Sequence, residues 1–300
     1  MRAPAKLNLA LSVGDLREDG YHELTTVFQA VGLYDEVVLS RAEELTVTVE
    51  DGPGATGSGD VPLDATNLAV RAVALAAATT GQDPRVAVHI TKGIPVSGGC
   101  AGGSADAAAA LVGCDALWGT GLSREELTAL AAELGSDVPF SVHGGTALGT
   151  GRGHQLTEVL EQGDYSWVLA VSDGGLSTPA VYAELDRQRE AGTADVAADP
   201  GEVLSALRQG DAVALGRALG NDLQQPALTL RPPLRAVLDG ARQLGALGAI
   251  VSGSGPTVAV LARDDAHAGA LAAALASSGI CSDVRRAEGP VTGARVVEAR

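Results

Sequence analysis

Residues 94–106 read Ile94-Pro95-Val96-Ser97-Gly98-Gly99-Cys100-Ala101-Gly102-Gly103-Ser104-Ala105-Asp106. This glycine-rich stretch stands between two runs of different texture. Before it, over 85–91, Val86, Val88 and Ile90 alternate on one face, which marks a strand. After it, 104–118 is alanine-rich and free of proline, which gives high helix propensity and a smooth surface for close packing. A strand, a glycine loop and a helix in that order make an anion site. Glycines let the backbone approach a ligand, and unpaired N–H groups at the helix start point outward beside a partial charge of about half a unit. Polyphosphate is the natural ligand. The plainer alternative, a loop rich in glycine only so that strand and helix can pack closely, accounts less well for four glycines in this setting.

Other phosphate and nucleophile motifs do not apply. Gly103 is followed by Ser104 without a lysine, so a Walker-type loop is excluded. Gly52-Pro53-Gly54-Ala55-Thr56-Gly57 matches a dinucleotide fingerprint literally, yet Ser58-Gly59-Asp60-Val61-Pro62 behind it cannot open a helix. That stretch reads as a hairpin or surface loop. Gly102-Gly103-Ser104-Ala105-Asp106 fails the hydrolase elbow at its last residue. The five histidines have no ligand spacing, so no structural metal is expected.

Outward from the loop, strands are predicted over 7–13, 36–40 and 45–50, the last two as a meander. A helix is predicted over 64–80, with Asp64 and Thr66 as cap-type residues and Gly81 as its stop. Ser123 and Glu126 form a capping box ahead of Leu127, Leu130, Ala131 and Leu134, and Gly135 ends that helix. The glycine-dense stretch 144–153 shows no apolar stripe and reads as a domain boundary, giving units of 1–150 and 151–300. The second unit has a strand over 167–172, helical patterns over 179–245, and a hairpin of 249–252 and 257–262 around Gly253-Ser254-Gly255-Pro256. A helix over 264–276 and strands near Val284 and Val296 complete an α+β arrangement.

The 300 residues carry 21 basic against 37 acidic side chains, a net charge of −16, which disfavours nucleic acid and anionic membrane as partners. Aromatics make up only 3% against 46% hydrophobic residues, so the core must be filled by Ala, Val and Leu. Three separated cysteines exclude a full disulfide framework and fit a reducing, cytoplasmic setting. No window reaches the ~18 apolar residues of a spanning helix. Asp137 in Gly135-Ser136-Asp137-Val138-Pro139 reads by itself as a turn or cap residue. Lys6 and Asn8 share one strand face, where a snorkelling lysine is the ordinary explanation.

Taken in order, five stretches resemble the GHMP small-molecule kinases over nearly the whole chain. They are Ala3-Pro4-Ala5-Lys6-Leu7-Asn8-Leu9, Asp19-Gly20-Tyr21-His22-Glu23-Leu24, the loop and helix start at 98–108, Gly135-Ser136-Asp137-Val138-Pro139, and Ser252-Gly253-Ser254-Gly255-Pro256-Thr257. The specific part is Lys6-x-Asn8, Gly20-Tyr21-His22 and Asp137-Val138-Pro139, since the glycine loops occur across the superfamily. The resemblance implies a two-domain α+β fold. Its N-terminal nucleotide-binding domain is similar to domain 2 of ribosomal protein S5, its smaller C-terminal domain is ferredoxin-like, and the substrate cleft lies between them.

The resemblance also implies roles. Asp137 matches the catalytic base and Lys6 the lysine beside it; Gly98, Gly99, Cys100, Ala101, Gly102, Gly103 and Ser104, with Pro95 and Ser97, match the cradle for ATP phosphates, with Mg²⁺ as counterion. Lys92 and Asn67 match positions lining the nucleotide pocket, although a strand-end Lys and a helix-start Asn also have structural readings. Tyr21 and His22 match residues that recognise a cytidine moiety, Thr178 and Tyr182 match positions flanking its ring, and Asn8 would orient the acceptor alcohol. Asp106 stands where many relatives have Asn; it reads as a first-turn acid favoured by the helix dipole, with a Mg²⁺ ligand as the alternative. A kinase for a smaller alcohol such as homoserine or mevalonate, and a non-catalytic binding module, are the competing readings.

Overall fold

Two long antiparallel strands, β1 (Arg2–Leu16) and β2 (His22–Arg41), form the spine of the first half in this computed structural model, which describes all residues except 54, 56, 97, 173, 195–197 and 298–300. Both run well beyond the predicted 7–13 and 36–40. The polar residues inside them, Lys6, Asn8, Thr26, Gln29 and Asp35, are buried and bonded to partners that no local pattern announces.

β3 (Thr46–Asp51) does not form a meander with β2. After β3 the chain passes a 3₁₀ turn (Ser58–Asp60) and α1 (Leu68–Thr80), and β4 (Val86–Lys92) then inserts between β3 and β2. β3 and β4 are parallel, so the connection is a helical crossover, and the stretch beginning at Gly52 is not a hairpin. The cap of α1 is Asn67 rather than Asp64 or Thr66. Asp64 is spent on a turn, accepting from Thr66 N and Oγ1, whereas Asn67 Oδ1 accepts from Ala69 N at 2.9 Å.

α2 (Gly102–Trp118) packs on α1 and β2 and on α4, a short helix of residues 138–143. Ala105 and Ala107 to Ala110 are fully buried, and a helix apolar on every side belongs inside a core. α3 (Arg124–Leu134) opens with the expected reciprocal box between Ser123 and Glu126. α4 (Val138–His143) follows at once, and β5 (Thr146–Thr150) and β6 (Gln155–Glu158) occupy the glycine-dense stretch and its flank. That stretch is therefore a hairpin that extends the first sheet. It needs glycine where it lies against Phe28: a Cβ on Gly149 would come within 2.7 Å of that ring.

The second sheet is antiparallel throughout, built from β7 (Tyr165–Val171), β9 (Gly248–Val251), β10 (Val258–Leu261) and β11 (Asp283–Gly289), in the order β11-β7-β10-β9. Between β7 and β9 lie α5 (Thr178–Glu190), α6 (Pro200–Gln209), α7 (Ala212–Ala218), the two-residue β8 (Gly220–Asn221), α8 (Gln224–Leu230) and α9 (Pro233–Gln243). α10 (Asp265–Ser278) joins β10 to β11. With its first and third strands central, this is the ferredoxin-like arrangement. β8 reaches back to pair in parallel with β1. Among the described residues near Val296 there is no strand, only a single bridge between Arg295 and Arg2. Among the described residues no helix is long and apolar enough to cross a membrane.

Candidate functional site

The two glycine loops, one from each sheet, meet face to face. Thr257 N donates to the Gly98 carbonyl at 3.2 Å and Ser252 Oγ to that of Gly99 at 3.2 Å. Gly99 has φ +76, and a Cβ there would lie 2.5 Å from the Ser252 oxygen and 2.9 Å from that of Gly255. Only glycine fits this contact. Lys6 N donates to the Cys100 carbonyl at 3.1 Å, which ties β1 to the same loop.

Alternation along β1 sets Lys6 and Asn8 on one face, and Lys6 Nζ donates to Asn8 Oδ1 at 2.9 Å. Asn8 Nδ2 passes the chain to Thr26 Oγ1 at 2.9 Å, and that hydroxyl donates to the Ala10 carbonyl at 2.7 Å. Each donor points one way, so the Lys6 ammonium is held rather than free to swing. It lies 3.2 Å from Asp137 Oδ2. Asp137 stands at the N-cap position of α4 but makes no capping bond, so its carboxylate is not spent on the helix. Lys6 is almost wholly buried while the Asp137 side chain is 35% exposed, opening toward a cavity.

That cavity, of about 440 Å³, is lined by Lys6, Asn8 and Asp137, by Pro95, Gly98, Gly99, Ala101, Gly102 and Gly103, and by the second loop at Gly253 and Ser254. α2 begins beneath it. Ala101, the residue before α2, has φ 60 and makes no side-chain cap, so the first amides of the helix face the cavity without a side-chain partner. Cys100 does not line it; the thiol is buried and pushed up to about 11 by desolvation. Ser97 lies outside the described residues. Ser104 opens on the neighbouring cavity instead. Asn67 is absent from the lining. Besides capping α1, it donates from Nδ2 to the Pro62 carbonyl at 2.8 Å and so anchors the 60–62 segment that forms one wall.

Lys92 reaches the cavity wall, but its ammonium is held between Asp35 and Asp106, the latter at 2.7 Å. Burial works against the Lys92 charge, yet Asp106 and Asp35 outweigh it and hold the ammonium pKa above its ordinary value. Burial, then the nearby Asp35, push Asp106 well above the usual carboxyl range. Asp35 also accepts from Gly93 N at 2.7 Å and Ile94 N at 2.9 Å, which fixes the departure of the phosphate loop from β4. Asp106 is not a first-turn acid. The helix starts at Gly102, two residues earlier than expected, which carries residue 106 into the second turn and onto Lys92.

A second cavity of about 550 Å³ adjoins the first and is lined by Tyr21, His22, Thr178, Tyr182 and Asp186. The two share Leu24, Asp137, Arg152, Thr178 and Tyr182. Arg152 lies 4.3 Å over the Tyr21 ring and has no ion-pair partner among the described residues. Thr178 and Ser254 hydroxyls meet at 2.9 Å, so α5 is tied to the second glycine loop. Sequence reasoning missed Arg152, Asp35 and Asp186. Arg152 sits in Gly151-Arg152-Gly153, a signal that a turn holding one cation between glycines could have raised.

Residues 67–145 match the description "GHMP kinases N terminal domain" and residues 203–281 match "GHMP kinases C terminal". The chain belongs to the GHMP kinase family. A GHMP kinase from Streptomyces avermitilis, named 4-diphosphocytidyl-2-C-methyl-D-erythritol kinase, is 56% identical over 297 residues, covering 99% of both chains. One of the same name from Nocardia farcinica is 55% identical over 99% of this chain and 96% of its own. A solved GHMP kinase structure, a 4-(cytidine 5'-diphospho)-2C-methyl-D-erythritol kinase, superposes with a TM-score of 0.76 at 32% identity, covering 96% of this chain and 98% of that one. Homoserine kinase from Cytophaga hutchinsonii shares the fold at 19% identity, with a TM-score of 0.73.

Proposed function

We propose that this GHMP kinase transfers the γ-phosphoryl group of ATP to the 2-hydroxyl of 4-diphosphocytidyl-2-C-methyl-D-erythritol, a step in isoprenoid precursor biosynthesis, in the cytoplasm. The observation that carries this is the Lys6–Asp137 pair at the junction of two cavities, one walled by helix-start amides and the other by Tyr21, His22 and Tyr182. Full-length relatives above 50% identity that bear that name supply the acceptor. The division into a nucleotide-binding unit of 1–150 and a C-terminal unit of 151–300 belongs to this proposal, with β6 crossing it to complete the first sheet.

Phosphoryl transfer needs an in-line alcohol, an immobile donor and stabilisation of charge on the moving group. The α2 amides and the loop at 98–103 hold the triphosphate. Asp137 accepts the proton of the attacking hydroxyl as its oxygen bonds to phosphorus and the bond to the ADP oxygen breaks. Lys6 pairs with that carboxylate and faces the developing negative charge. Asn8 holds Lys6 in place and reaches the acceptor hydroxyls. Arg152, which lines both cavities and has no ion-pair partner among the described residues, meets the diphosphate of the acceptor. Mg²⁺ fits the cleft in one respect: Asp106 Oδ1, buried at its wall without a hydrogen-bond partner among the described residues, would be the oxygen that holds the ion. The ion supplies charge neutralisation that a −16 protein lacks.

Purified protein with ATP should release ADP with the cytidine diphosphate alcohol and not with homoserine or mevalonate. Equal or greater turnover with either small alcohol overturns the acceptor.

A further inference from the structure

The second cavity holds a pair that phosphoryl transfer does not use. Asp186 lies one turn beyond Tyr182 on α5, on the same helix face. Its Oδ1 is 2.9 Å from His22 Nε2. His22 is 7% exposed, and its ring packs against the Tyr182 ring at a centroid distance of 5.1 Å, so it is held on two sides. Nδ1 has no hydrogen-bond partner among the described residues and is not a sealed, unpaired atom; His22 lines the cavity.

An ionised carboxylate only accepts hydrogen bonds. A neutral His22 facing Asp186 therefore carries its proton on Nε2, which leaves Nδ1 a bare acceptor on a residue that lines the cavity. A cytosine edge presents an amino donor where a uracil edge presents a carbonyl acceptor. Nδ1 pairs with the first, whereas the second sets lone pair against lone pair. We propose that Asp186 is a positioning residue that locks His22 in its Nε2-protonated form and so makes this cavity select an amino-bearing pyrimidine over its keto analogue. This rests on the reading that the acceptor carries cytidine; what it adds is the origin of the selectivity. Asp186 acts through His22 and need not touch the acceptor.

The test compares kcat/KM for the cytidine and uridine forms of the acceptor in the wild type, Asp186→Ala and Asp186→Asn. It is paired with nitrogen-15 spectra of His22, assigned by the signal lost in His22→Gln. The wild type should prefer cytidine by roughly 10- to 100-fold, the scale of one hydrogen bond exchanged for an unsatisfied buried acceptor. Its spectrum should show a protonated Nε2 and a bare Nδ1. Asp186→Ala should raise KM for the cytidine form about tenfold rather than lower kcat, cut the preference to within about threefold, and give mixed tautomers. Asp186→Asn, which can still accept through its amide oxygen, should keep part of the preference. A wild-type spectrum with Nδ1 protonated overturns the proposal, and so does a folded Asp186→Ala with undiminished preference. Either result alongside normal cytidine turnover leaves the parent reading standing; no turnover with either form removes both.

Discussion

Replacing Lys92 with methionine tests the buried triad beneath the phosphate loop. Methionine keeps most of the apolar stem and removes only the ammonium that separates Asp35 from Asp106. All three side chains are buried, so the two carboxylates lose their shared partner without gaining water. Breaking a buried pair in this way costs about 3–5 kcal/mol, a large share of a typical stability of about 5–15 kcal/mol. The deficit should depend on pH, and its sign follows from Asp106. Its folded pKa already lies above the unfolded value, and losing the ammonium raises it further. Such a group contributes stability below its unfolded pKa and loses it as pH rises through the folded one. The deficit is therefore largest near neutrality and shrinks on acidification, by roughly 1.4 kcal/mol for each unit of added shift. Urea unfolding of wild type and Lys92→Met, near neutrality and at about pH 5, reads this directly. A deficit below about 1 kcal/mol, or one that grows toward acid, refutes the reasoning.

Gly99→Ala should disrupt the contact between the two glycine loops, since left-handed backbone costs about 1–2 kcal/mol and the clash with carbonyl oxygens of residues 252 and 255 adds about 1–3 kcal/mol. Unchanged stability together with unchanged nucleotide affinity would refute it. Arg152→Ala should raise KM for the acceptor by about tenfold or more and leave KM for ATP alone, as expected for loss of a charge-assisted bond; equal effects on both would contradict the placement. Cys114, pushed up to about 12, and Cys100, pushed up to about 11, should resist alkylation at neutral pH in the native state, with half-buried Cys281 reacting first. Labelling mapped by mass spectrometry decides this, and fast modification of Cys100 would contradict the closed loop.

What could be read from the chain alone was whatever the backbone imposes locally. The Ser123–Glu126 box, the alanine helix and the hairpin around residues 253–256 announce themselves because caps, propensity and turns act over a few residues. The meander over 36–50 failed for the opposite reason: β-branched runs reveal strands but not neighbours, and β4, from beyond α1, takes the place beside β2. At the site, Lys6, Asn8 and Asp137 became recognisable through family resemblance, since each alone has an ordinary explanation. Asp35, Arg152 and Asp186 were invisible because their roles arise only from long-range contacts: Asp186 meets His22 across 164 residues and Asp35 meets Lys92 across 57. Asn67 matched a family position, while its amide is committed to a helix cap and to the Pro62 carbonyl.

Single-turnover phosphoryl transfer by Asp137→Asn, with ATP bound at saturation, tests the central pairing most directly. Asparagine preserves the shape beside Lys6 but cannot take the hydroxyl proton, so the rate should fall by roughly 10²–10⁴ while ATP affinity stays close to wild type. A rate within about threefold of wild type would contradict Asp137 as the base that Lys6 holds ready.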